Sequence, residues 1–427
     1  MSILNRLKVL GALGIFLIST GAFAQSSVST YTALGLGEFN KSGLTQNQAM
    51  GGLGISFGTG WGVNYVNPAL STRNTIFNFQ GALNYKRVNL TTSDQTDLID
   101  GGGLSYAMVS LPVKSGERTV TAGINQISSV NYSLLVNGTV ANSDLTSLTR
   151  VDGQGGISEA FLAYGFTPVK NLSFGLTGSY LFGSTIRTNQ LSLLNADKNP
   201  IGVSSELYQR FTVSDVTLKG GAHYYFKMGT KSQLHLGAIY QAFGNINGKQ
   251  FVKVADFGQA SRPDGEGDVI VDNEKGSVFI PQNIGFGLSY ERLNKFVIGL
   301  EGQYQELSRY KTITGGDGGL RDSFKIGLGG QFTPDFTAVD NLFKRSTFRA
   351  GIEYQETPYI LNNTKVNDLG INFGGSVPVN SLSLLNFAVK LGTRGTTANG
   401  LIRENYVSFT LGFSLNDNSW FFKRVYE

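Results

Sequence analysis

The stretch Tyr406-Val407-Ser408-Phe409-Thr410-Leu411-Gly412-Phe413-Ser414-Leu415 decides the fold. Val407, Phe409, Leu411, Phe413 and Leu415 share one parity. Tyr406, Ser408, Thr410, Gly412 and Ser414 share the other. A period of two places the sets on opposite faces of a β-strand. The pattern returns in Leu385, Phe387, Val389 and Leu391, in Phe324, Ile326, Leu328 and Phe332, and in Phe296, Ile298, Leu300 and Tyr304. One face is large and apolar. The other is glycine and small polar residues, with a few charges.

The alternation persists over most of the chain with no helical stretch between. A single soluble sheet that long would split or curl. Closed on itself it has no edges. An apolar outer face and a wet inner one suit an all-β, transmembrane antiparallel barrel. Composition agrees. Of 427 residues 56 are Gly, 29 Phe and 18 Tyr, with no Cys and two His. Thiol chemistry, disulfides and a three-histidine zinc site are excluded. Disorder is excluded by the aromatic content, and a helical membrane protein by a mean hydropathy near zero and the lack of an 18-residue apolar run after the leader.

Residues 1–24 read as a signal peptide. Arg6 and Lys8 form a basic start, Val9 to Ile18 an apolar run, and Ala22-Phe23-Ala24 a cleavage site before Gln25. Without Arg6 and Lys8 the net charge falls from +5 to +3. No basic stripe stands out, so nucleic acid is not an expected partner. Residues 73–416 carry about fourteen expected strands, at 74–91, 101–113, 118–136, 156–167, 171–189, 206–227, 232–249, 279–291, 295–312, 321–333, 346–361, 366–379, 384–395 and 404–416. Short turns such as Lys114-Ser115-Gly116-Glu117 alternate with longer linkers at 137–155, 190–205 and 250–278. Residues 417–427 form an expected periplasmic C-terminal tail. Residues 25–72 are Gly-rich with little alternation. A lumen of about fourteen strands is too wide for side chains alone to fill, so this segment is expected to be an N-terminal hatch (plug) inside it.

Asn47-Gln48-Ala49-Met50-Gly51-Gly52-Leu53-Gly54, followed by Asn64-Tyr65-Val66-Asn67-Pro68-Ala69, resembles the opening of FadL-like outer-membrane proteins, and Gly35-Leu36-Gly37 before it the version common in Bacteroidota-type bacteria. The resemblance covers the layout of the whole chain and the residues mainly of 31–72. It implies a fourteen-strand barrel in the bacterial outer membrane, with a hatch motif at Gly51, Gly52, Gly54, Asn67, Pro68 and Ala69. It also implies uptake of hydrophobic, fatty-acid-like small molecules, often through a lateral gap in the wall, with outer-membrane lipid and lipopolysaccharide around it. A branch similar to PorV serves type 9 protein secretion instead, docking another protein without catalysis. The tail through Trp420-Phe421-Phe422-Lys423-Arg424 departs from members that end on an aromatic strand residue.

Several inward residues are candidates. Glu301, Lys325, Arg349, Glu353 and Lys390 form an expected lumen polar network, which either anchors a ligand headgroup or ties the hatch to the wall. Lys325, Arg349 and Glu301 fall on sequential strands, so opposite charges are expected to be neighbours. His223 and His235, each six residues from Gly229, are expected to face one another across a hairpin as a lumen pair. They read as polar lining, or as a weak metal or proton-sensitive contact. The acidic run Asp264 to Glu274 lacks the full calcium-loop pattern and reads as a solvated loop. No catalytic residue, metal ligand or cofactor is expected, and a non-enzymatic role follows. Glycines in 51–62 are the expected hinges of the hatch.

Overall fold

The computed structural model describes residues 28–417 except Pro263, Val339 and Ser381. The expected leader at 1–24 and the tail beyond Asp417 lie outside the described residues. Fourteen strands close a barrel: β1 (Phe77–Thr91), β2 (Thr96–Lys114), β3 (Arg118–Thr139), β4 (Thr146–Val169), β5 (Leu172–Leu194), β6 (Pro200–Lys227), β7 (Ser232–Ala242 and Gly244–Asp256), β8 (Asp268–Ile280 and Asn283–Arg292), β9 (Phe296–Gln305), β10 (Ser323–Phe332), β11 (Thr347–Leu361), β12 (Thr364–Pro378), β13 (Ser383–Arg394) and β14 (Arg403–Asp417). The ladder from Arg403↔Thr91 to Asp417↔Phe77 joins β14 to β1 and seals the cylinder.

Burial is inverted relative to a soluble sandwich. Phe409, Leu411 and Phe413 are about 40% exposed, while Thr410 is 2% and Ser414 0% exposed. The apolar parity faces lipid and the polar parity faces the lumen, as the outer membrane requires. β9 and β10, of 10 residues each, are just long enough to cross. β3 to β6 run for 22 to 28 residues and rise as a collar at one end. The expected linkers at 137–155 and 190–205 are mostly strand, because the alternation weakens there while the ladders continue to Thr139↔Thr146 and Leu194↔Pro200. The connection after β7 shortens likewise to 257–267. Both chain ends of the barrel lie at the opposite end, that of the short turns. Asp268, Asp272 and Glu274 fall on β8, an extended strand, so these carboxylates spread along the chain instead of converging.

The segment before β1 fills the lumen. It holds a 3-10 turn at Thr30–Ala33, a two-residue strand at Glu38–Phe39, a helical turn at Thr45–Gln48 and a 3-10 helix at Pro68–Arg73. The glycine excess of the inner face follows from this. A Cβ at Gly175 would lie 2.3 Å from the carbonyl carbon of Pro68, one at Gly237 2.0 Å from the Ile55 oxygen, and one at Gly327 2.2 Å from the Gly51 oxygen. Only glycine lets the wall come that close to a second backbone.

Candidate functional site

Asn67, Pro68 and Ala69 explain themselves locally. Asn67 Oδ1 accepts from Ala69 N at 3.0 Å as an N-cap, and Pro68 opens the 3-10 helix. Asn67 Nδ2 donates to the Ile55 and Ala222 carbonyls at 2.7 and 3.0 Å, so one side chain binds hatch to hatch and hatch to β6. Gly51 and Gly52 have φ of +68° and +86°. They carry the chain out of the Thr45–Gln48 turn, and a Cβ on Gly51 would meet Ile352 O at 2.9 Å. Gly54 N donates to Glu301. Gly51 and Gly52 pack against the wall and Gly54 against Asn47 and Val66 of the hatch, so residues 51–54 of the expected hinge stretch form a seat.

Four polar clasps hold the hatch. Glu301 of β9 accepts from the amides of Gly54, Ile55 and Ser56 at 2.7–2.9 Å and from Ser56 Oγ at 2.8 Å. Glu353 of β11 pairs with Lys325 at 2.7 Å and Lys390 at 2.6 Å, and Lys325 Nζ donates to hatch Ser42 Oγ at 2.6 Å. Arg394 of β13 binds Asp368 at 2.6 Å and hatch Glu38, and Glu404 accepts from Ser29 Oγ and Thr30 N. Burial pushes the Glu38 carboxyl up, but Arg394 and Lys86 outweigh it and hold it well below the usual carboxylate range. At the turn end Arg73 reaches Glu291 at 2.7 Å, Glu291 meets His235 Nε2 at 3.0 Å, and His235 Nδ1 meets His223 Nε2 at 3.0 Å.

Two expectations are corrected. Glu301 and Lys325 are not partners: register sets Glu301 against Gly327 and Lys325 against Gln303. Arg349 stands apart near the turn end, bonded to Gln331 and Ser376, with no ion pair among the described residues. The histidines are diagonal rather than opposite. His223 faces Gly237 and Tyr225 faces His235, because the turn is centred on Thr230 rather than Gly229. Their direct hydrogen bond nonetheless makes them a pair.

The wall itself is incomplete. The β2–β3 ladder runs from Lys114↔Arg118 only to Tyr106↔Asn125. Beyond it β2 stays with β1 up to Thr91↔Thr96, and β3 stays with β4 up to Thr139↔Thr146. Each strand is irregular where they part: Ser105 bulges from β2 and Ile127 from β3. A bulge bends its strand and adds twist, and two at one level split the seam. The hatch stops the split from inside. Glu38 and Phe39 pair with Ser129 and Ser128 on the freed edge of β3, Asn40 N donates to Ile127 O at 2.8 Å, and Ser29 N to Asn131 O at 3.2 Å.

Behind the gap lies a cavity of about 130 Å³ lined by Ser105, Gln126, Ser128 and Lys86 of the wall, Lys390 and Glu353 opposite, and hatch residues 38–42. Lys41 makes no ion pair among the described residues. Burial, then nearby Lys325, draws its ammonium down to about 7. On the other side Leu36 packs with Ile127, Ile157, Leu181 and Ile246, with Phe39 alongside. The gap thus has an apolar wall and a polar floor. Arg394, Asp368, Glu404 and Glu38 were not among the expected site residues. The inward parity of the last three strands carried the signal for the first three, and Glu38 lay in a segment with no alternation to read.

The chain belongs to the BamG family, whose model matches residues 7–427. No curated protein matches it. Among solved structures it is similar to the CymD monoaromatic hydrocarbon channel, with TM-score 0.54 and 14% identity over 89% of this chain and 99% of that one. The toluene transporter TbuX of Ralstonia pickettii gives 0.52 and 13%, covering 89% and 98%. A FadL homologue of Pseudomonas aeruginosa gives 0.53 and 11%, covering 86% and 98%. The likeness is one of fold: a FadL-like outer-membrane barrel.

Proposed function

We propose that this BamG-family barrel takes up hydrophobic small molecules through the β2–β3 gap. The observation that carries the reading is the ladder's end at Tyr106↔Asn125, which leaves the wall open toward the outer half of the membrane. An apolar solute partitions into such a cleft from lipid, because leaving water and crossing a polar leaflet are both avoided. For a fatty-acid-like molecule the tail lies along Ile127, Leu36 and Phe39 and the carboxylate meets Lys41 in the cavity. CymD, a monoaromatic hydrocarbon channel, and TbuX, a toluene transporter, share the fold and agree with an apolar cargo. Capture needs only the gap. Delivery needs the hatch near 38–42 to give way, since that stretch floors the cavity.

The chain has no native Cys, so Phe39→Cys with Ser128→Cys joins register partners without competing thiols. Cells bearing the pair are given radiolabelled toluene and radiolabelled oleate. Reduced cells accumulating label above a barrel-less control, and oxidised cells falling to that control, is the expected result. Equal accumulation in both states, or none above control, overturns it.

A second reading has its own observation. The hatch is clasped at four levels by buried polar bonds, which suits a non-conducting barrel that docks another envelope protein, as in type 9 secretion. In that case neither compound accumulates, and the oxidised barrel still co-purifies in fixed ratio with one partner from gently solubilised membranes.

A further inference from the structure

The turn end of the lumen holds a second cavity, of about 560 Å³, below the hatch and separate from the gap. Five cationic side chains line it: Arg73, Arg292, Lys295, Arg345 and Arg349. Against them stands one lining carboxylate, Glu291, already held by Arg73 and His235. Arg349 is the notable member. It is 8% exposed, its Nε donates to Gln331 at 3.1 Å and its Nη1 to Ser376 at 2.5 Å, and no carboxylate faces it among the described residues. Nε of Arg345 is buried without a hydrogen-bond partner. A buried guanidinium held in place by neutral groups is an anchor awaiting an anion, because a buried charge is stable only when paired.

One side of the lining is apolar, among neutral polar residues elsewhere. Phe57 is buried under Arg73, whose guanidinium lies 5.5 Å from the ring centre, and Trp61 packs on Phe336 at 5.6 Å. Phe296 and Leu384 complete that wall. A bare inorganic anion would leave these surfaces wet. A site with aromatic walls and a few convergent polar groups fits a ligand with an apolar body.

We infer that this vestibule binds a carboxylate-bearing amphiphile from the periplasmic side, with the carboxylate on Arg349 and Arg345 and the apolar body against Phe57, Trp61 and Phe296. The assignment stands whether or not the β2–β3 gap admits anything.

The probe is phenylpropionate, added to the full-length barrel in detergent. Trp420→Phe leaves Trp61 as the sole tryptophan reporter. Saturable change in Trp61 fluorescence is expected, without competition from phenylpropionamide or inorganic phosphate at equal concentration. Arg349→Gln should weaken binding about tenfold or more, and Arg349→Lys by less, since lysine keeps the charge but not the planar fork. Barrel folding of each variant is checked by heat-modifiable migration. Should Arg349→Gln not fold, Arg345→Gln carries the same expectation. Binding of the amide as tight as the acid, or undiminished binding in both arginine variants, overturns the site. Displacement by phosphate at equal concentration overturns the amphiphile assignment.

Discussion

Replacing Glu301 by Gln tests what holds the hatch. The carboxylate serves four donors: Oε2 takes the amides of Gly54 and Ile55, and Oε1 takes Ile55 again together with the amide and hydroxyl of Ser56. Glutamine keeps one acceptor oxygen and turns the other position into a donor. With the oxygen on the Ser56 side, the Gly54 amide is left facing an NH₂ group. An orphaned buried amide costs about 1–3 kcal/mol. The surviving bonds fall from charge-assisted to neutral strength, roughly halving each. The sum is about 3 kcal/mol of hatch seating, or about a hundredfold in opening equilibrium. Native-state hydrogen exchange read by mass spectrometry at Gly54–Ser56 measures it directly. Protection there should fall about a hundredfold while β12 to β14 stay unchanged. Unchanged protection at 54–56 would refute the clasp. Uniform loss across the barrel would show that Glu301 supports the wall rather than the hatch.

Arg394→Ala should lower unfolding stability in urea by about 3–5 kcal/mol, because the buried Asp368 and Glu404 and the half-buried Glu38 all lose the guanidinium they share. Arg150→Ala, which breaks an exposed 2.9 Å pair with Asp152, should cost under about 1 kcal/mol, and equal costs would contradict the burial argument. Gly175→Val puts atoms within 2.3 Å of Pro68, so limited trypsin digestion at Arg73 should speed up while the barrel core stays intact. The Lys41 ammonium, drawn down to about 7 by burial and Lys325, binds a proton more weakly folded than unfolded. Its charging penalty is therefore full below about pH 7 and fades as pH rises toward about 10. The stabilising effect of Lys41→Met, read as a thermal midpoint in detergent, should shrink over that range, and a constant difference would count against the shift.

Much of the architecture was legible because a period of two is local. Each of Phe409, Leu411 and Phe413 declares its face beside its own polar neighbours, so fourteen strands could be placed without tertiary information. The seam could not. Ser105 and Ile127 are each a single extra residue in an otherwise regular strand, and a one-residue slip looks in sequence like ordinary variation in the pattern. Likewise the parity placed Lys325 and Glu353 inward, but which charge meets which depends on register. Register set Arg349 against Gln331, far from the carboxylate it had been expected to neighbour. The lengths of the upper ladders were hidden for another reason. Beyond the bilayer both faces of a collar strand are wet, so the alternation fades although the hydrogen bonds persist.

The clasps also locate where the hatch can yield. From Gly54 to Ser56 it is bonded by Glu301, and from Asn67 to Ala69 it lies on wall glycines that permit no displacement without repacking. The N-terminal end is tied by Glu404 through Ser29 and Thr30. Between these anchors, residues 38–42 are held by a two-residue ladder with β3, the Asn40 N bond to Ile127 O, the Glu38 pairs with Arg394 and Lys86, and bonds from Gln303 to Lys41 O and from Ser42 to Lys325 and Glu353. They are bracketed by Gly37 at φ +88° and Gly43 at φ +72°. Residues 38–42 are half-buried or exposed whereas Gly54–Ser56 are fully buried, and a less buried segment between two permissive residues opens more readily than the clasped stretches on either side. This stretch also stops the β2–β3 gap and floors the cavity behind it. Movement of 38–42 alone would enlarge that cavity without releasing the Glu301 or Asn67 contacts. Exchange at amides 38–42 should therefore be faster than at 54–56 in the resting protein. The reverse order would place the moving part elsewhere and remove the gap's claim to be a gated port.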